Sequence, residues 1–220
     1  MVGNAVIAVV GGTGKLGAAI ARRLAKAGHT TIIGSRSAEN AQNAADELGF
    51  GLAGKSNADA AQAADIVIVT VPFQAQSATL AEIKPFVQGK IVVDTTVPLV
   101  PPKVMRVQLP EEGSAAVRAQ NALGQGVTVV SGFHNVAAHK LATDADIGCD
   151  VLVFGDDKIA RSKVVELANQ AGLRGIHGGA LANSAAAEAL TSILIYINKT
   201  YSADGAGIRF TGLTAAPPIP

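Results

Sequence analysis

The sequence is poor in charged residues and in cysteine. Only 16% of the 220 residues are charged, a low share for a fully solvated monomer, which indicates that part of the surface is covered in an oligomer. The 18 basic and 17 acidic residues give a net charge of +1, so there is no basic excess to neutralise phosphates and general nucleic-acid binding is not expected. The single cysteine, Cys149, excludes an intrachain disulfide and fits a reducing compartment.

Long hydrophobic runs are also missing. The apolar stretch at residues 5–10 has no basic residue before it and is followed at once by glycines, which is unlike a signal peptide. The apolar stretch at residues 193–197 is far shorter than the ~20 residues that a membrane span requires. We therefore expect a cytoplasmic protein with no membrane segment.

Several common catalytic patterns are absent as well. The sequence contains neither the Tyr-x-x-x-Lys pair of short-chain dehydrogenases nor a serine-hydrolase elbow. His29, His139 and His177 have no spacing with acids or with Cys149 that predicts a metal site. Cys149 has no evident base partner, so we expect it to be inert.

Short apolar runs alternate with helical patterns along most of the chain. Such alternation is typical of an α/β fold in which helices cover both faces of a parallel sheet. Ser37 and Ser56 are placed to cap two of the helices. Strands are predicted at residues 5–10, 30–33, 65–71, 91–94, 128–131, 151–154 and 174–176, and helices at residues 15–27, 38–48, from Ser56 on, at 158–171 and at 184–199.

Two regions depart from this alternation. Residues 97–126 are rich in proline and glycine, which predicts a loop with one helix near residues 114–123. The helix at 184–199 is apolar on most faces, so we expect other protein, such as a second subunit, to bury it. We expect a Rossmann domain at 1–179, a helical C-terminal part at 180–212 and a disordered tail at 213–220.

The first predicted strand runs directly into a glycine-rich turn that opens the first helix. The turn Gly12-Thr13-Gly14-Lys15-Leu16-Gly17 has the Gly-x-Gly-x-x-Gly spacing of dinucleotide-binding folds. Glycine is favoured there because the turn is tight, the backbone must approach a pyrophosphate, and helix and strand pack closely. The helix N-terminus then offers free N–H groups to the phosphates. The alternative is a glycine-rich turn with no dinucleotide.

The end of the second predicted strand indicates which dinucleotide binds. NAD-binding folds place an acid about 20 residues after the glycines, to hold the ribose 2′-hydroxyl. This sequence has Ser35 and Arg36 there instead. Arg36 can pair with the 2′-phosphate of NADP and Ser35 can donate a hydrogen bond. The alternative is an ordinary surface arginine at a helix start.

Two further stretches lie where open α/β sheets bind ligands. Pro72 ends a strand, and Phe73 could wall the cofactor cleft, although a core aromatic would look the same. His134 and Asn135 follow the strand at 128–131. His134 could hydrogen-bond a substrate carbonyl or phenolate, or it could be purely structural.

Taken together, the ordered set of motifs resembles the F420-dependent NADP oxidoreductases. The resemblance runs from Gly11–Gly17 and Ile33–Arg36 through Val71–Phe73, the Val97-Pro98 segment, His134–Ala138 and Phe154–Asp157. It continues through Leu181–Ser184 and Glu188–Thr191 to Gly205–Phe210, and so covers nearly the whole chain to about Gly212.

The resemblance implies a homodimer that transfers a hydride between the nicotinamide of NADP(H) and the central ring of the deazaflavin coenzyme F420. It places Thr13–Leu16, Ser35 and Arg36 at NADP. Val71, Val97, Ala138 and Ala206 would line the cleft between the two rings, with Val136 beside them, and His134 and Asn135 would orient the deazaflavin. The chain departs from the family pattern at Asn40 (a lysine in the family), Phe73 (a tryptophan), Ala75 (a histidine) and residues 100–126.

Two other functions fit the same residues. One is a different NADPH-dependent reductase, acting on a flavin, a ferric chelate or an imine. The other is a non-catalytic NADP(H) sensor whose C-terminal half binds a partner.

Overall fold

The computed structural model describes residues 5–213 of the chain. The strands are β1 (Ile7–Val10), β2 (Thr31–Ser35), β3 (Ala53–Ser56), β4 (Ile66–Val69), β5 (Ile91–Asp94), β6 (Thr128–Ser131), β7 (Asp150–Phe154) and β8 (Arg174–Gly179). The helices are α1 (Lys15–Lys26), α2 (Ala38–Leu48), α3 (Asn57–Ala63), α4 (Phe73–Ile83), α5 (Ala115–Leu123), α6 (Ala138–Leu141), α7 (Lys158–Gln170) and α8 (Ser184–Tyr201). The predicted tail lies outside the described residues, apart from Leu213.

All eight strands form one sheet in the order β3-β2-β1-β4-β5-β6-β7-β8. The six strands from β3 to β6 are parallel, and β1 lies between β2 and β4, so the chain reverses its direction of winding there. This is the Rossmann-type fold predicted from the sequence, and its switch point lies at the end of β1. The sheet is mostly parallel: β7 pairs with β6 antiparallel through Ser131 and Phe154, and β8 pairs parallel with β7.

Two hydrophobic cores lie on opposite faces of the sheet because its buried strands are apolar on both sides. In β1, Ile7 and Val9 belong to the core beneath α1, α2 and α7, whereas Ala8 and Val10 belong to the core beneath α3, α4 and α5. All four side chains are 0% exposed. The strands are therefore apolar along their whole length because helices cover both faces of the sheet, as predicted from the sequence.

Most predicted elements are confirmed to within a few residues, and the caps account for several helix starts. The hydroxyls of Ser37, Ser56 and Ser114 accept hydrogen bonds from the N–H groups of Asn40, Asp59 and Val117, respectively. Strand β3 and helix α4 were not predicted from the sequence. Strand β3 has the sequence Ala-Gly-Lys-Ser, which lacks an apolar pattern.

Arg23 of α1 joins the first half of the fold to the second. Its Nε donates to the carbonyl of Leu141 (2.9 Å), and its Nη1 donates to that of Ala171 (3.0 Å). Its Nη2 donates to the carbonyls of Thr143 (2.6 Å) and Ala145 (2.9 Å). One buried guanidinium therefore holds the loop after α6 and the end of α7 against α1.

Helix α8 packs against α5 and β7 but leaves part of its apolar surface in solvent. Ile193 is 44% exposed, Tyr196 is 55% exposed and Tyr201 is 76% exposed. Within the described residues, no helix is both long enough and apolar enough to cross a membrane.

Candidate active site

The glycine turn lies at the carboxyl end of β1, and two of its glycines are required by packing. The N–H of Gly12 donates to the carbonyl of Gly34 at 3.0 Å, which holds the turn against β2. A Cβ built at Gly12 would lie 2.6 Å from the carbonyl oxygen of Val9. A Cβ at Gly17 would lie 2.8 Å from the Cα of Gly12, so any side chain at either position would displace backbone.

Gly14 differs because the space beside it is open. A Cβ there would meet only the carbonyl oxygen of Gly11, at 3.4 Å. Gly14 is also the N-cap of α1, whose first turn carries no acidic residue, and the N–H groups of Lys15 and Leu16 lack partners within the helix. An anion can therefore approach this backbone closely. These features fit the pyrophosphate of a dinucleotide.

Ser35 and Arg36 lie at the carboxyl end of β2, next to the glycine turn. The Ser35 hydroxyl accepts a long hydrogen bond from the N–H of Ser37 (3.4 Å). Arg36 is exposed and has no hydrogen bond or ion pair with any residue in the described range 5–213. A guanidinium without a carboxylate partner is available to bind a phosphate. This arrangement fits the 2′-phosphate of NADP.

The residues after β4 contact the same turn. A Cβ built at Gly11 would lie 2.6 Å from Cγ1 of Val71, so Val71 packs directly on the glycine backbone. Pro72 is the N-cap of α4 and Phe73 is its first residue, so Phe73 begins a helix here. The guanidinium of Arg118 lies 4.8 Å from the centre of the Phe73 ring. This cation–π contact fixes the ring at the end of the sheet where α4 and α5 begin.

Val97 follows a buried polar group at the end of β5. Asp94 is 0% exposed, and its carboxylate accepts hydrogen bonds from Nε2 of Gln76 (2.6 Å) and from the N–H of Thr96 (3.1 Å). Burial raises the pKa of Asp94 to about 6. These bonds fix the chain immediately before Val97, which is half-buried at the carboxyl edge.

His134 lies beyond β6, after a residue in an unusual backbone conformation. Phe133 has a φ of +65°, in the left-handed region that non-glycine residues rarely adopt, and such conformations cluster at functional sites. The Nε2 of His134 lies 3.0 Å from Oγ of Ser131, whereas Nδ1 has no partner within the described residues. Burial lowers the pKa of His134 to about 4, so the ring is neutral at pH 7.

Asn135 fastens the loop after β6 to helix α8. Its Nδ2 donates to the carbonyl of Ala187 (2.9 Å) and to Oγ1 of Thr191 (3.1 Å), and the Thr191 hydroxyl donates to the carbonyl of His134. Asn135 was predicted to help orient the deazaflavin, and its amide nitrogen is bonded to the protein. Val136 follows as a buried residue, and Ala138 begins the short helix α6.

The stretch after α8 returns to this loop and brings Ala206 beside it. The N–H of Ala206 donates to Oδ1 of Asn198 (2.7 Å), and a Cβ at Gly205 would lie 2.7 Å from Cβ of Ala137. The predicted site residues therefore form two groups, one around the glycine turn and one between the loop after β6 and the C-terminal stretch.

Several polar residues of these regions were not predicted from the sequence. Glu188 of α8 accepts hydrogen bonds from the N–H groups of Ala115 (2.7 Å) and Ala116 (3.1 Å) at the start of α5. Burial raises its pKa to about 7, although the two backbone donors favour the charged form. Asn57 contacts both Gly11 and Gly34 from the start of α3. In the sequence, these residues were marked only by a polar side chain, an acid in a mostly apolar helix or an amide at the start of a helix.

Comparison with known proteins covers most of the chain. A family model described as "NADP oxidoreductase coenzyme F420-dependent" matches residues 6–98. An F420-dependent NADP reductase of Methanocaldococcus jannaschii is 40% identical over 94% of this chain and 98% of its own length. The chain belongs to the F420-dependent NADP reductase family. A second family member, from Methanothermobacter thermautotrophicus, is 40% identical over 94% of this chain and 95% of its own.

The fold of the family is also seen in a solved structure. A candidate F420-dependent NADP reductase from Arthrobacter sp. FB24 superposes with a TM-score of 0.79 at 24% identity, over 93% of this chain and 98% of its own. At this identity the likeness establishes the fold. The family resemblance predicted from the ordered motifs is confirmed by these relatives, whose similarity covers 94% of the chain.

Proposed function

We propose that this protein is an NADP-dependent oxidoreductase that transfers a hydride between NADP(H) and the deazaflavin coenzyme F420. The observation that carries the NADP half is the open backbone at Gly14 beside an Arg36 with no carboxylate partner. Family membership supports F420 as the second substrate. The domain division at residues 1–179 and 180–212 remains part of the proposal.

On this proposal, the residues around the glycine turn hold NADP. The backbone from Gly12 to Gly17 receives the pyrophosphate, and Ser35 and Arg36 receive the 2′-phosphate. Val71 packs on the turn and places an apolar surface next to it. Pro72 and Phe73 extend that surface toward α4.

The second group of residues holds the deazaflavin. Val136, Ala138 and Ala206 of this group are small or apolar, as is Val97 after the neighbouring strand β5, so they permit two flat rings to approach closely. His134 is neutral, and when Ser131 donates to Nε2 the proton lies on Nδ1, a buried atom without a partner among the described residues, which a bound substrate oxygen would have to reach to accept it. Asn135 holds the loop and so positions His134.

Hydride transfer between these two substrates needs no acid or base at the reacting carbons, because both redox centres belong to the substrates. When bound, NADPH would supply the hydride and the deazaflavin would accept it together with one proton from water, so the chain itself supplies no redox group. The chain must hold the rings in contact, aligned and free of water. The neutral His134 and the apolar cleft residues suit this role.

The test is oxidation of NADPH in the presence of different acceptors. We expect F420 to be reduced, and FMN, FAD, a ferric chelate and a cyclic imine to be poor acceptors. Rapid turnover of one of the others would overturn the assignment of the second substrate. Tight NADPH binding with no turnover of any acceptor would instead identify a sensor.

We also propose that the protein is a cytoplasmic homodimer with α8 at the interface. Ile193, Tyr196 and Tyr201 expose large apolar side chains on this helix. Light scattering at micromolar concentration should give twice the mass of the chain, and a monomer would contradict the proposal.

A further inference from the structure

Residues 205–210 follow α8 and are fastened at every second residue. The N–H of Ala206 donates to Asn198 Oδ1 (2.7 Å), and the carbonyl of Ile208 accepts from the N–H of Asp150 (2.7 Å). The N–H of Phe210 donates to Asp150 Oδ2 (2.6 Å). Asp150 therefore holds this segment through both its backbone and its side chain.

Arg174 completes the attachment. Its Nε donates to Oδ1 of Asp150 (2.5 Å) and its Nη2 to Oδ2 (2.7 Å), a bidentate ion pair. The same Nη2 donates to the carbonyl of Phe210 (2.7 Å). The Asp150 side chain is only 2% exposed, so its charge depends on Arg174 for compensation. Loss of either partner would leave the other without its bidentate contact.

The segment 205–210 also packs closely against the loop after β6. A Cβ at Gly205 would lie 2.7 Å from Cβ of Ala137, and a Cβ at Gly207 would lie 2.6 Å from Cβ of Cys149. The position of Ala206 next to the start of α6 is therefore set by the attachment on either side of it.

We propose that Asp150 and Arg174 are positioning residues for the second substrate, because they hold residues 205–210 in place as one wall of its cleft. The inference rests on the proposed function in taking Ala206 to line that cleft. Within residues 5–213, no hydrogen bond or ion pair joins Asp150 or Arg174 to the glycine turn or to Arg36. Their loss affects the second substrate and leaves NADPH binding intact.

The experiment uses Asp150→Asn and Arg174→Gln in the full chain. We expect kcat/KM for F420 to fall on the order of tenfold to a hundredfold, since small misplacements of a reacting ring have effects of this size. The Kd for NADPH, measured by fluorescence, should stay at the wild-type value, which also shows that each variant is folded. Cys149 lies beneath Gly207, so its alkylation should be faster in both variants than in the wild type.

Arg22→Gln is the control, because it removes an ion pair with the exposed Asp144 (2.8 Å), while Lys26 still pairs with Asp144 (2.7 Å) and neither Arg22 nor Asp144 bonds to residues 205–210 within the described chain. It should change none of the three readouts. If Cys149 is alkylated at the wild-type rate in both variants, Asp150 and Arg174 do not hold the segment in place. If the affinity for NADPH falls as much as kcat/KM for F420, the two residues have a general structural role. If the wild type does not reduce F420, the proposed function fails, while alkylation and NADPH binding still decide whether Asp150 and Arg174 hold the segment.

Discussion

Replacing Gly14 by alanine should separate nucleotide binding from folding. Gly14 has φ −76° and ψ 160°, which alanine adopts without strain, and the added Cβ would make only an ordinary 3.4 Å contact with Gly11. Alanine is a poorer N-cap than glycine, but it restricts the unfolded chain, and these two effects offset each other. We expect the free energy of unfolding to change by less than about 1 kcal/mol.

Binding should respond much more strongly to the same methyl group. Phosphate oxygens must come within about 3 Å of the backbone N–H groups that bind them, and the methyl group would project into that space. Loss of one charge-assisted hydrogen bond is worth roughly 1.5–3 kcal/mol, or on the order of tenfold to a hundredfold in affinity. NADPH and NADH should weaken by the same factor because both carry the pyrophosphate.

Gly12→Ala is the contrasting variant. Its Cβ would lie 2.6 Å from the carbonyl of Val9, so the backbone must move and the protein should be destabilised by about 1–3 kcal/mol. Calorimetric titration with NADPH and thermal unfolding of both variants measure the two effects. Wild-type affinity in Gly14→Ala would refute the reasoning, since it would place the pyrophosphate away from the glycine turn.

Four further substitutions, in three experiments, test the rest of the site. Arg36→Ala should erase a preference for NADPH over NADH of about tenfold to a hundredfold while sparing NADH, and equal affinity of the wild type for both would contradict the 2′-phosphate assignment. In rapid-mixing absorbance, His134→Ala should slow transfer modestly, whereas Ala138→Leu should slow it more by forcing the rings apart; the opposite order would indicate proton transfer to a carbonyl or imine. Burial raises the pKa of Glu188 from 4.5 to about 7, so the folded protein is most stable when Glu188 is neutral, and this stability is lost as the pH rises through that range. In urea titrations, the free energy of unfolding of the wild type relative to Glu188→Gln should therefore fall by about 3 kcal/mol between pH 4.5 and 8. Equal pH dependence in both proteins would show that Glu188 does not titrate there, and the comparison removes the separate titration of His134.

The features that the sequence predicted well depend on local chemistry. The glycine turn and the caps at Ser37, Ser56 and Ser114 follow from short-range sterics and hydrogen bonding, and the structure places them as expected. Helix α4 was missed because Pro72 reads equally well as the end of a strand and as the residue before a helix.

Other features depend on partners far away in the chain. The antiparallel direction of β7 leaves no mark on its apolar pattern, since that pattern is the same in either direction. Asp150 and Phe210 are 60 positions apart, and Glu188 and Ala115 are 73 apart, so their contacts become visible only when the fold is complete. His134 was selected for its position after a strand, but its free Nδ1 could be recognised only in the structure.

The four carbonyls bound by Arg23 affect which part of the protein unfolds locally. Strand β7 shares one registered pair with β6, whereas β4 and β5 share four registered pairs, so the ladder is weakest at the β6–β7 boundary. We expect β7, α7 and β8 to unfold locally as one cooperative unit, and we expect the hydrogen bonds of Arg23 to contribute to the free energy of that local unfolding. Lysine at this position has no forked guanidinium, so Arg23→Lys should speed amide hydrogen exchange in β7 and β8 while β1 and β4 stay protected.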